Sequence, residues 1–313
     1  MTSVLWILVG LALAYCGAEA FIRGAVSLSR RFGIPPLVVG LTVIAWGTSS
    51  PELAVSVKAA LNANSGMSLG NVLGSNIFNV GIILGLTALT LPLRVKLQLI
   101  RFDIPTLAVI TLLAFGALYD SQVSRTEGVL LLTTFVVYSA ATFYFAKKES
   151  PQEVVKEFVD AEPRRFRSVG VDLLCIGAGL AVLVYGADLL VRGAVTLARA
   201  LGVTEAVIGL TVVAAGTSLP ELVSSLVAAK RKEPDVAVGT IVGSNIFNIT
   251  FILGLSSTIT PVSQSEIGKV ELGALLISAV VLIPMAWTGF VLMRWEGAVL
   301  LAGYGVYVAL LWP

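Results

Sequence analysis

Long apolar stretches follow one another along almost the whole chain and are separated by short polar turns. A helix needs about 20 mostly apolar residues to cross the hydrocarbon core of a bilayer. Ten stretches qualify, near residues 4–29, 35–61, 67–91, 102–119, 126–146, 169–197, 204–229, 236–260, 270–288 and 291–311. The pattern predicts an all-α integral membrane protein with ten transmembrane helices.

One longer polar segment, residues 147–168, divides these stretches into five and five. Residues 33–88 align with 202–257 without a gap, and 27 of the 56 positions are identical. Because five is an odd number, the second half enters the membrane from the opposite side, as in the inverted repeats of secondary transporters. We therefore expect a first five-helix repeat over 1–146, a connector over 147–168 and a second, inverted repeat over 169–313.

The basic residues are distributed unevenly between the two membrane faces. Of the 21 Lys and Arg residues, 16 lie nearest the face that carries the 147–168 connector. Cytoplasmic loops carry such an excess. The pattern predicts a multi-pass protein of the cell membrane with a cytoplasmic connector and both termini extracellular.

Composition agrees with this prediction and excludes several classes of protein. Hydrophobic residues make up 57% of the chain and charged residues 13%, against about a quarter charged in soluble domains. A net charge of +2 is too small to suggest nucleic-acid binding, and the absence of histidine excludes imidazole metal sites. Cys16 and Cys175 lie in apolar runs and are expected only to pack. Membrane lipid is the expected surrounding, and no obligate protein partner is evident.

The second and seventh spans are interrupted by GTSSPE at 47–52 and GTSLPE at 216–221. Proline removes a backbone donor and glycine weakens the helix beside it. We therefore expect both helices to be broken, with the carbonyl groups near Ala45 and Ala214 freed from their partners. Freed backbone is tolerated inside a membrane only where it is buried in protein or lines a polar cavity.

The interruptions also bring oxygen-bearing side chains together, since residues three and four apart share a helical face. The third and eighth spans contribute a second matched pair of motifs, GNVLGSNIFN at 70–79 and GTIVGSNIFN at 239–248. Asn76 and Asn245 lie one position beyond the motif serines and could instead bind backbone in the neighbouring helix. The candidate side chains are Thr48, Ser49, Glu52, Ser75, Asn79, Thr217, Ser218, Glu221, Ser244 and Asn248.

An ionisable group at mid-membrane is by default functional, because it costs about 2.5 kcal/mol or more. Here two carboxylates, Glu52 and Glu221, recur at equivalent positions with the same companions. Oxygen ligands alone suit hard cations such as calcium or sodium. Two carboxylates balance one calcium ion, and they also let several sodium ions compete for overlapping positions. That competition is what an antiporter needs.

The other acidic residues have simpler interpretations. Glu19 with Arg23, and Asp188 with Arg192, are spaced as i,i+4 ion pairs near the ends of the first and sixth spans and are expected to be structural. Asp103 is expected to be interfacial or solvated, without a chemical role.

With these motifs, the chain resembles the prokaryotic sodium/calcium exchangers of the calcium/cation antiporter superfamily over its whole length. The resemblance implies a packed core of broken helices 2, 3, 7 and 8, against which helices 1 and 6 slide. It implies exchange of Na⁺ for Ca²⁺ by alternating access, without enzymatic activity or a cofactor. By motif, the ion ligands would be the ten candidate side chains and the carbonyl groups of Ala45 and Ala214.

Two other functions remain open from the residues. A calcium/proton antiporter would keep the fold, although that branch typically carries GNxxE where this chain has GTSSPE and GTSLPE. A cation channel is disfavoured by paired half-sites in an inverted topology. An intramembrane hydrolase built on Glu52 and Glu221 is disfavoured because the chain lacks a histidine base and a recognisable protease motif. Asn248 replaces an aspartate of the potassium-dependent branch, so potassium is not expected to be required. The connector is too short for an inserted calcium-sensing domain.

Overall fold

The computed structural model describes residues 2–118, 122–148, 168–202, 214–263 and 268–311. Within these ranges the chain is almost entirely helical. The first half contains α1 (Thr2–Phe32), α2 (Pro36–Val39), α3 (Ala45–Thr48), α4 (Ser50–Leu61), α5 (Ser65–Phe78), α6 (Gly85–Thr90), α7 (Ile104–Ala117) and α8 (Arg125–Lys148). The second half contains α9 (Val169–Ala200), α10 (Ala214–Gly216), α11 (Leu219–Lys230), α12 (Pro234–Phe247), α13 (Gly254–Ile259), α14 (Lys269–Trp287) and α15 (Arg294–Leu311).

Seven of the helical stretches in the described ranges are long and apolar enough to cross a membrane. An eighth is the pair Pro36–Thr48 and Ser50–Leu61, which is bent by 49° at its break. The all-helical membrane fold is therefore confirmed. The expected span at 204–229 begins among residues outside the described ranges, and the one at 291–311 corresponds to α15. The count of ten stays a prediction.

Helices α1 and α9 cross in antiparallel directions, with glycines at the closest points. A Cβ atom on Gly17 would lie 2.3 Å from Leu183 N, and one on Gly179 would lie 2.5 Å from Phe21 N. Gly10 and Gly186 approach each other in the same reciprocal way. Small residues allow helix backbones to pack this closely within a membrane. These two helices are thus held by backbone contact over several turns.

The break in the second span lies at Ser49, whose φ of −79° and ψ of 9° depart from helical values. Pro51 stands in the first turn of α4, where a missing N–H is tolerated. Our expectation for the Ala45 carbonyl was wrong, because it still accepts a hydrogen bond from Ser49 N at 3.0 Å. The backbone N–H that Pro51 lacks would have donated to the carbonyl four positions earlier, which belongs to Gly47 and not to Ala45.

Broken geometry in the third and eighth spans takes another form. A π-helical segment begins at Asn79 (Asn79–Leu84), and another begins at Asn248 (Asn248–Leu253). Further π-helical segments cover Gly40–Ile44 and Leu99–Asp103. Single π-helical turns inside α-helices are often found at functional sites. The two motif asparagines therefore lie where the regular helix is interrupted.

The protein core surrounds α12, whose residues from Val236 to Phe247 are all buried. Two short antiparallel pairings, which the sequence did not predict, join loops at the helix ends. Strand β1 (Leu93–Arg94) pairs with β4 (Val291–Leu292), and β2 (Gln122–Val123) pairs with β3 (Val262–Ser263). Both pairings connect the first half of the chain to the second.

Candidate cation site

Two carboxylates lie at the centre of the core. Glu52 is in the first turn of α4 and Glu221 is in the first turn of α11. Glu52 is 1% exposed and Glu221 is 0% exposed. The free N–H groups of a first helical turn favour negative charge. The two helix breaks therefore create the positions at which a carboxylate can be buried.

Each carboxylate is hydrogen-bonded by a serine from the other half of the chain. Ser49 Oγ donates to Glu221 Oε1 at 2.7 Å, and Ser218 Oγ donates to Glu52 Oε1 at 2.9 Å. Neither serine caps its own helix, although each occupies the N-cap position. The two motifs thus form one interlocked site.

The two threonines of the motifs follow the same crossed arrangement. Thr48 lies beside the Glu221 carboxylate, and Thr217 lies beside the Glu52 carboxylate. The Thr48 hydroxyl donates within its own helix, 3.0 Å from Ile44 O and 3.3 Å from Ala45 O. The Thr217 hydroxyl is buried and has no hydrogen-bond partner in the described part of the chain.

Ser244 joins the second half of the chain to the first break. Its hydroxyl lies 3.0 Å from Ser49 Oγ, 3.4 Å from Ala45 O and 3.5 Å from Glu221 Oε1. The carbonyl oxygen of Ala45 is therefore directed toward the site while it keeps its backbone hydrogen bond. Ala214, its counterpart, begins the short helix α10.

Several buried oxygen atoms of the candidate residues lack a hydrogen-bond partner among the described residues. Buried polar groups in folded proteins are nearly always paired, so each exception calls for an explanation. The unpartnered oxygens are Glu52 Oε2, Glu221 Oε2, Ser75 Oγ, Asn79 Oδ1, Asn248 Oδ1 and Thr217 Oγ1. A hard cation binds to clustered oxygen atoms that no hydrogen-bond donor already occupies. These unpartnered oxygens meet that requirement.

Sequence reasoning missed Asn71, whose Nδ2 donates to Glu52 O at 3.1 Å and to Ser56 Oγ at 2.9 Å. The corresponding residue in the second half, Thr240, instead donates to Val236 O within its own helix. Asn71 therefore holds the Glu52 turn from a neighbouring helix, whereas the Glu221 carbonyl oxygen accepts from Ser224 Oγ of its own helix at 3.1 Å. Its polarity within an apolar span was the available signal.

The alternative interpretation of Asn76 and Asn245 is correct only for Asn245. Its Nδ2 donates to Asn76 O at 3.3 Å, and its Oδ1 accepts from Asn79 Nδ2 at 2.9 Å. The side-chain atoms of Asn76 have no partner in the described ranges. Asn245 thus connects α12 to the end of α5 and to the π-helical segment at Asn79, and it orients Asn79.

The ion pairs predicted within α1 and α9 both form. Arg23 lies 2.6 Å from Glu19, and Arg192 lies 2.8 Å from Asp188. Glu19 also accepts from Arg231, which directly follows α11. The expectation for Asp103 was wrong: it is fully buried and accepts from Tyr138 at 2.9 Å. The π-helical segment that ends at Asp103 turns its side chain inward.

Among the described residues, no group of three or more Cys, Asp or Glu side chains is arranged to hold a metal ion. The candidate cation site therefore depends on two carboxylates supplemented by neutral oxygens. Charge in the site is supplied by Glu52 and Glu221 alone.

The chain matches the model of the family described as "Sodium/calcium exchanger protein" over residues 2–144 and 171–312. It is 34% identical over 311 residues to the inner membrane protein YrbG of Escherichia coli (strain K12), covering 98% of this chain and 95% of that protein. It is 31% identical to the sodium/calcium exchanger MaX1 of Methanosarcina acetivorans, covering 99% and 98%. The solved structure of the sodium-calcium exchanger NCX_Mj soaked with Na⁺ and Sr²⁺ superposes with a TM-score of 0.84, at 34% identity and over 98% of each chain.

Proposed function

Because the chain belongs to the sodium/calcium exchanger family, a family of transporters, we propose that it is a secondary active antiporter that exchanges Na⁺ for Ca²⁺. The two ions use one central site, which opens alternately to each side of a cell membrane. The ions are the transported substrates, and the proposal includes no cofactor.

The observation that carries this proposal is the crossed pairing of Glu52 and Glu221. Each carboxylate has one oxygen bound by a serine of the opposite half and one oxygen with no partner among the described residues. The crossed hydrogen bonds hold both halves together in one packed core, and access to the site changes when α1 and α9, the first and sixth spans, slide against that core. Two negative charges balance one Ca²⁺, or they attract several Na⁺ ions that cannot be bound at the same time as Ca²⁺.

The proposed ligand set combines the two carboxylates with hydroxyl, amide and carbonyl oxygens. Such a set suits calcium, which binds six to eight oxygens in flexible geometries. Neutral amides at Asn79 and Asn248 leave the charge balance to the two glutamates. The ligands are drawn from Thr48, Ser49, Glu52, Ser75, Asn79, Thr217, Ser218, Glu221, Ser244 and Asn248, with the carbonyl oxygens of Ala45 and Ala214.

For the architecture, the proposal is ten transmembrane helices in two inverted repeats, residues 1–146 and 169–313, joined by a connector over 147–168. The reciprocal contacts between α1 and α9 support it. Gly10 meets Gly186, the repeat counterpart of Gly17, and Gly17 meets Gly179, the counterpart of Gly10. Two halves related by a twofold axis would produce this exchange of partners.

The proposed orientation has a cytoplasmic connector and extracellular termini. It is supported by the 16 of 21 basic residues that lie nearest the connector face. A cysteine introduced into the connector, in a background without Cys16 and Cys175, would test it. We expect labelling by a membrane-impermeant maleimide only after cells are permeabilised, and labelling of intact cells would reverse the orientation.

The exchange itself is tested with radioactive calcium and proteoliposomes that are loaded with sodium and diluted into choline. We expect uptake that requires internal sodium and is unaffected by an imposed proton gradient. Glu52→Ala and Glu221→Ala should each remove this uptake. If either variant retained normal exchange, the proposed site would be wrong.

The same assay separates the alternative functions. Uptake driven by a proton gradient without sodium would move the protein to the calcium/proton antiporters and leave the proposed ligands in place. Calcium flux without any counter-ion gradient would instead indicate a channel.

A further inference from the structure

Two ion pairs join α1 to the turn that follows α11, residues 230–233. Glu19 of α1 accepts from Arg231, and Arg30 of α1 lies 3.4 Å from Glu233. Both side chains of the second pair are largely buried, with exposed fractions of 9% and 12%. This turn lies at the connector face, the membrane face at which α8 ends and α9 begins, because α1 ends beside the first turn of α9.

The repeat places an equivalent turn, residues 61–64, between α4 and α5 at the opposite face. The two turns share a backbone conformation, since Ala63 and the equivalent Lys232 have left-handed φ values of 55° and 60°. Their side chains differ in charge. Residues 230–233 are all charged, whereas residues 59–93 contain no charged side chain.

Helix α9 keeps the charges that α1 uses for its two ion pairs. Asp188 is the repeat equivalent of Glu19, and Arg199 is the equivalent of Arg30. The turn at the opposite face, however, carries asparagine where the connector-face turn carries arginine and glutamate. Neither ion pair can therefore form between α9 and that turn. The two halves of the chain are alike in backbone and unlike in how the first and sixth spans are tied to the core.

We propose that the two ion pairs of α1 are a latch, which holds the connector face closed and makes the state open to the opposite face the resting state. The role of the latch rests on the proposed exchange, in which α1 and α9 slide against the core. These two helices are joined by close backbone contacts at Gly17 and Gly179, so a latch on α1 restrains both.

The size of the bias follows from the number of ion pairs. Opening the connector face breaks both of them, and no ion pair with the turn at 61–64 forms in return. Each partly exposed ion pair changes a population by up to about 5-fold. Two pairs together favour the closed connector face by up to about 25-fold. In the proposed orientation, the resting protein presents its cation site to the extracellular side.

Opening at each face can be measured by thiol labelling in detergent, in a background without Cys16 and Cys175. Ser29→Cys on α1 reports the connector face, because Ser29 is only 2% exposed. Ala198→Cys, at the equivalent position of α9, reports the opposite face. Labelling requires no transport, so its result does not depend on whether the chain exchanges ions.

The first experiment removes the latch. Arg231→Gln combined with Glu233→Gln should speed the labelling of Ser29→Cys by up to about 25-fold and should not speed that of Ala198→Cys. Asp235→Asn is the matched control, because it removes a different ion pair of the same face, with Lys96 at 3.6 Å. It should leave both labelling rates unchanged. Unfolding midpoints near the wild-type value establish that the variants are folded.

The second experiment builds the missing latch at the opposite face. Asn62→Arg combined with Asn64→Glu gives the turn the charges of its counterpart, opposite to those of Asp188 and Arg199. It should slow the labelling of Ala198→Cys and speed that of Ser29→Cys. Asn62→Glu combined with Asn64→Arg carries the same charges in reverse order and should do neither. Both variants lose the hydrogen bond that Asn64 accepts from Met67 N, so that loss cannot distinguish them.

Three results would overturn the proposal. Removal of the latch could speed the labelling of Ser29→Cys by less than about 2-fold, or it could speed both probes equally, which would indicate general loosening. The two orders of charge at 62 and 64 could also have equal effects. Sodium-dependent calcium uptake by the wild-type chain is measured separately. Absent uptake with the expected labelling would contradict the exchange and not the latch, whereas normal uptake without the labelling changes would contradict the latch alone.

Discussion

The same short pattern, a serine followed three residues later by a glutamate, occurs at 49–52 and at 124–127 and is used in two different ways. At 124–127 it is a local helix cap. Glu127 Oε2 accepts from Ser124 N at 2.8 Å, and Glu127 N donates to Ser124 Oγ at 3.3 Å. At 49–52 the serine instead donates to Glu221, 172 positions away in the chain.

This difference follows from what surrounds each pair. Ser124 and Glu127 are only partly buried, so a reciprocal cap satisfies their polar groups at the start of α8. Ser49 and Glu52 are buried against the matching motif of the other half. There, each serine binds the carboxylate across the interface and leaves one carboxylate oxygen without a partner. A motif that stabilises a helix in one place thereby becomes half of the candidate cation site in another.

The largest difference between the two patterns is expected when each glutamate is replaced by glutamine, which removes its charge. Glu52→Gln and Glu221→Gln should each lower sodium-dependent calcium uptake at least about 100-fold, because losing one charge of a buried arrangement costs about 3–5 kcal/mol. Glu127→Gln should keep uptake and lower only the stability of α8. Uptake in proteoliposomes and unfolding midpoints measure both effects. A large loss of uptake in Glu127→Gln would show that the two patterns do not differ in function.

Replacing the serines tests the same difference between the two patterns. The expected loss of calcium transport is smaller than for the glutamate variants. Ser49→Ala and Ser218→Ala each remove a hydrogen bond to a carboxylate, which is worth about 1.5–3 kcal/mol. We expect the apparent calcium affinity to fall about 10-fold or more, with the larger loss in Ser49→Ala because Ser49 also contacts Ser244.

Ser124→Ala is the matched control for the two serine variants. It should leave calcium affinity unchanged and cost about 1 kcal/mol of stability, as is typical of a lost N-cap. The apparent calcium affinity of each variant is measured from uptake over a range of calcium concentrations. Unchanged affinity in both site variants would mean that the crossed hydrogen bonds do not shape the cation site.

Most of the candidate site could be predicted because the chain presents it twice. Recurrence of Glu52 and Glu221 with the same hydroxyl and amide companions marked those residues before any contact was known. The partners could not be predicted, because a repeat shows which residues matter and not which half they bind. Asn71 was missed for a related reason, since Thr240 occupies its position in the other half.

The fold was predictable where it depends on apolar length and less so where it depends on packing. The π-helical segments at Asn79 and Asn248 arise inside continuous apolar runs that carry no proline. The inward turn of Asp103 depends in the same way on a neighbour, Tyr138, that is 35 residues distant. Nothing in the local sequence distinguishes a buried carboxylate with a distant partner from one exposed at the interface.

Two nearby glycines of α9 extend the comparison from hydrogen bonds to helix packing. A Cβ atom on Gly179 would collide with the backbone of α1, whereas one on Gly177 would meet no other atom within 4 Å. Gly179→Ala should destabilise the protein by about 1–3 kcal/mol, the usual cost of overpacking. Gly177→Ala should not destabilise it. Unfolding midpoints in detergent measure this, and equal midpoints would contradict the close antiparallel crossing.

The smallest effect is expected where an ion pair extends beyond its own helix. Arg192 pairs with Asp188 within one exposed turn of α9, whereas Arg231 reaches Glu19 of α1 from the turn after α11. Ion pairs that are partly exposed contribute up to about 1 kcal/mol. Arg231→Gln should therefore raise the fraction of molecules in which α1 separates from α11 by no more than about 5-fold.

That fraction can be measured by thiol labelling of Ser29→Cys, since Ser29 on α1 is only 2% exposed and the next residue, Arg30, pairs with Glu233 just beyond α11. The background would carry Cys16→Ala and Cys175→Ala, which leaves one reactive thiol. Labelling should be faster in Arg231→Gln and unchanged in Arg192→Gln, because the second arginine holds only its own helical turn. If Arg192→Gln accelerated labelling as much as Arg231→Gln, the loss of one positive charge, and not the contact between α1 and α11, would control access to Ser29.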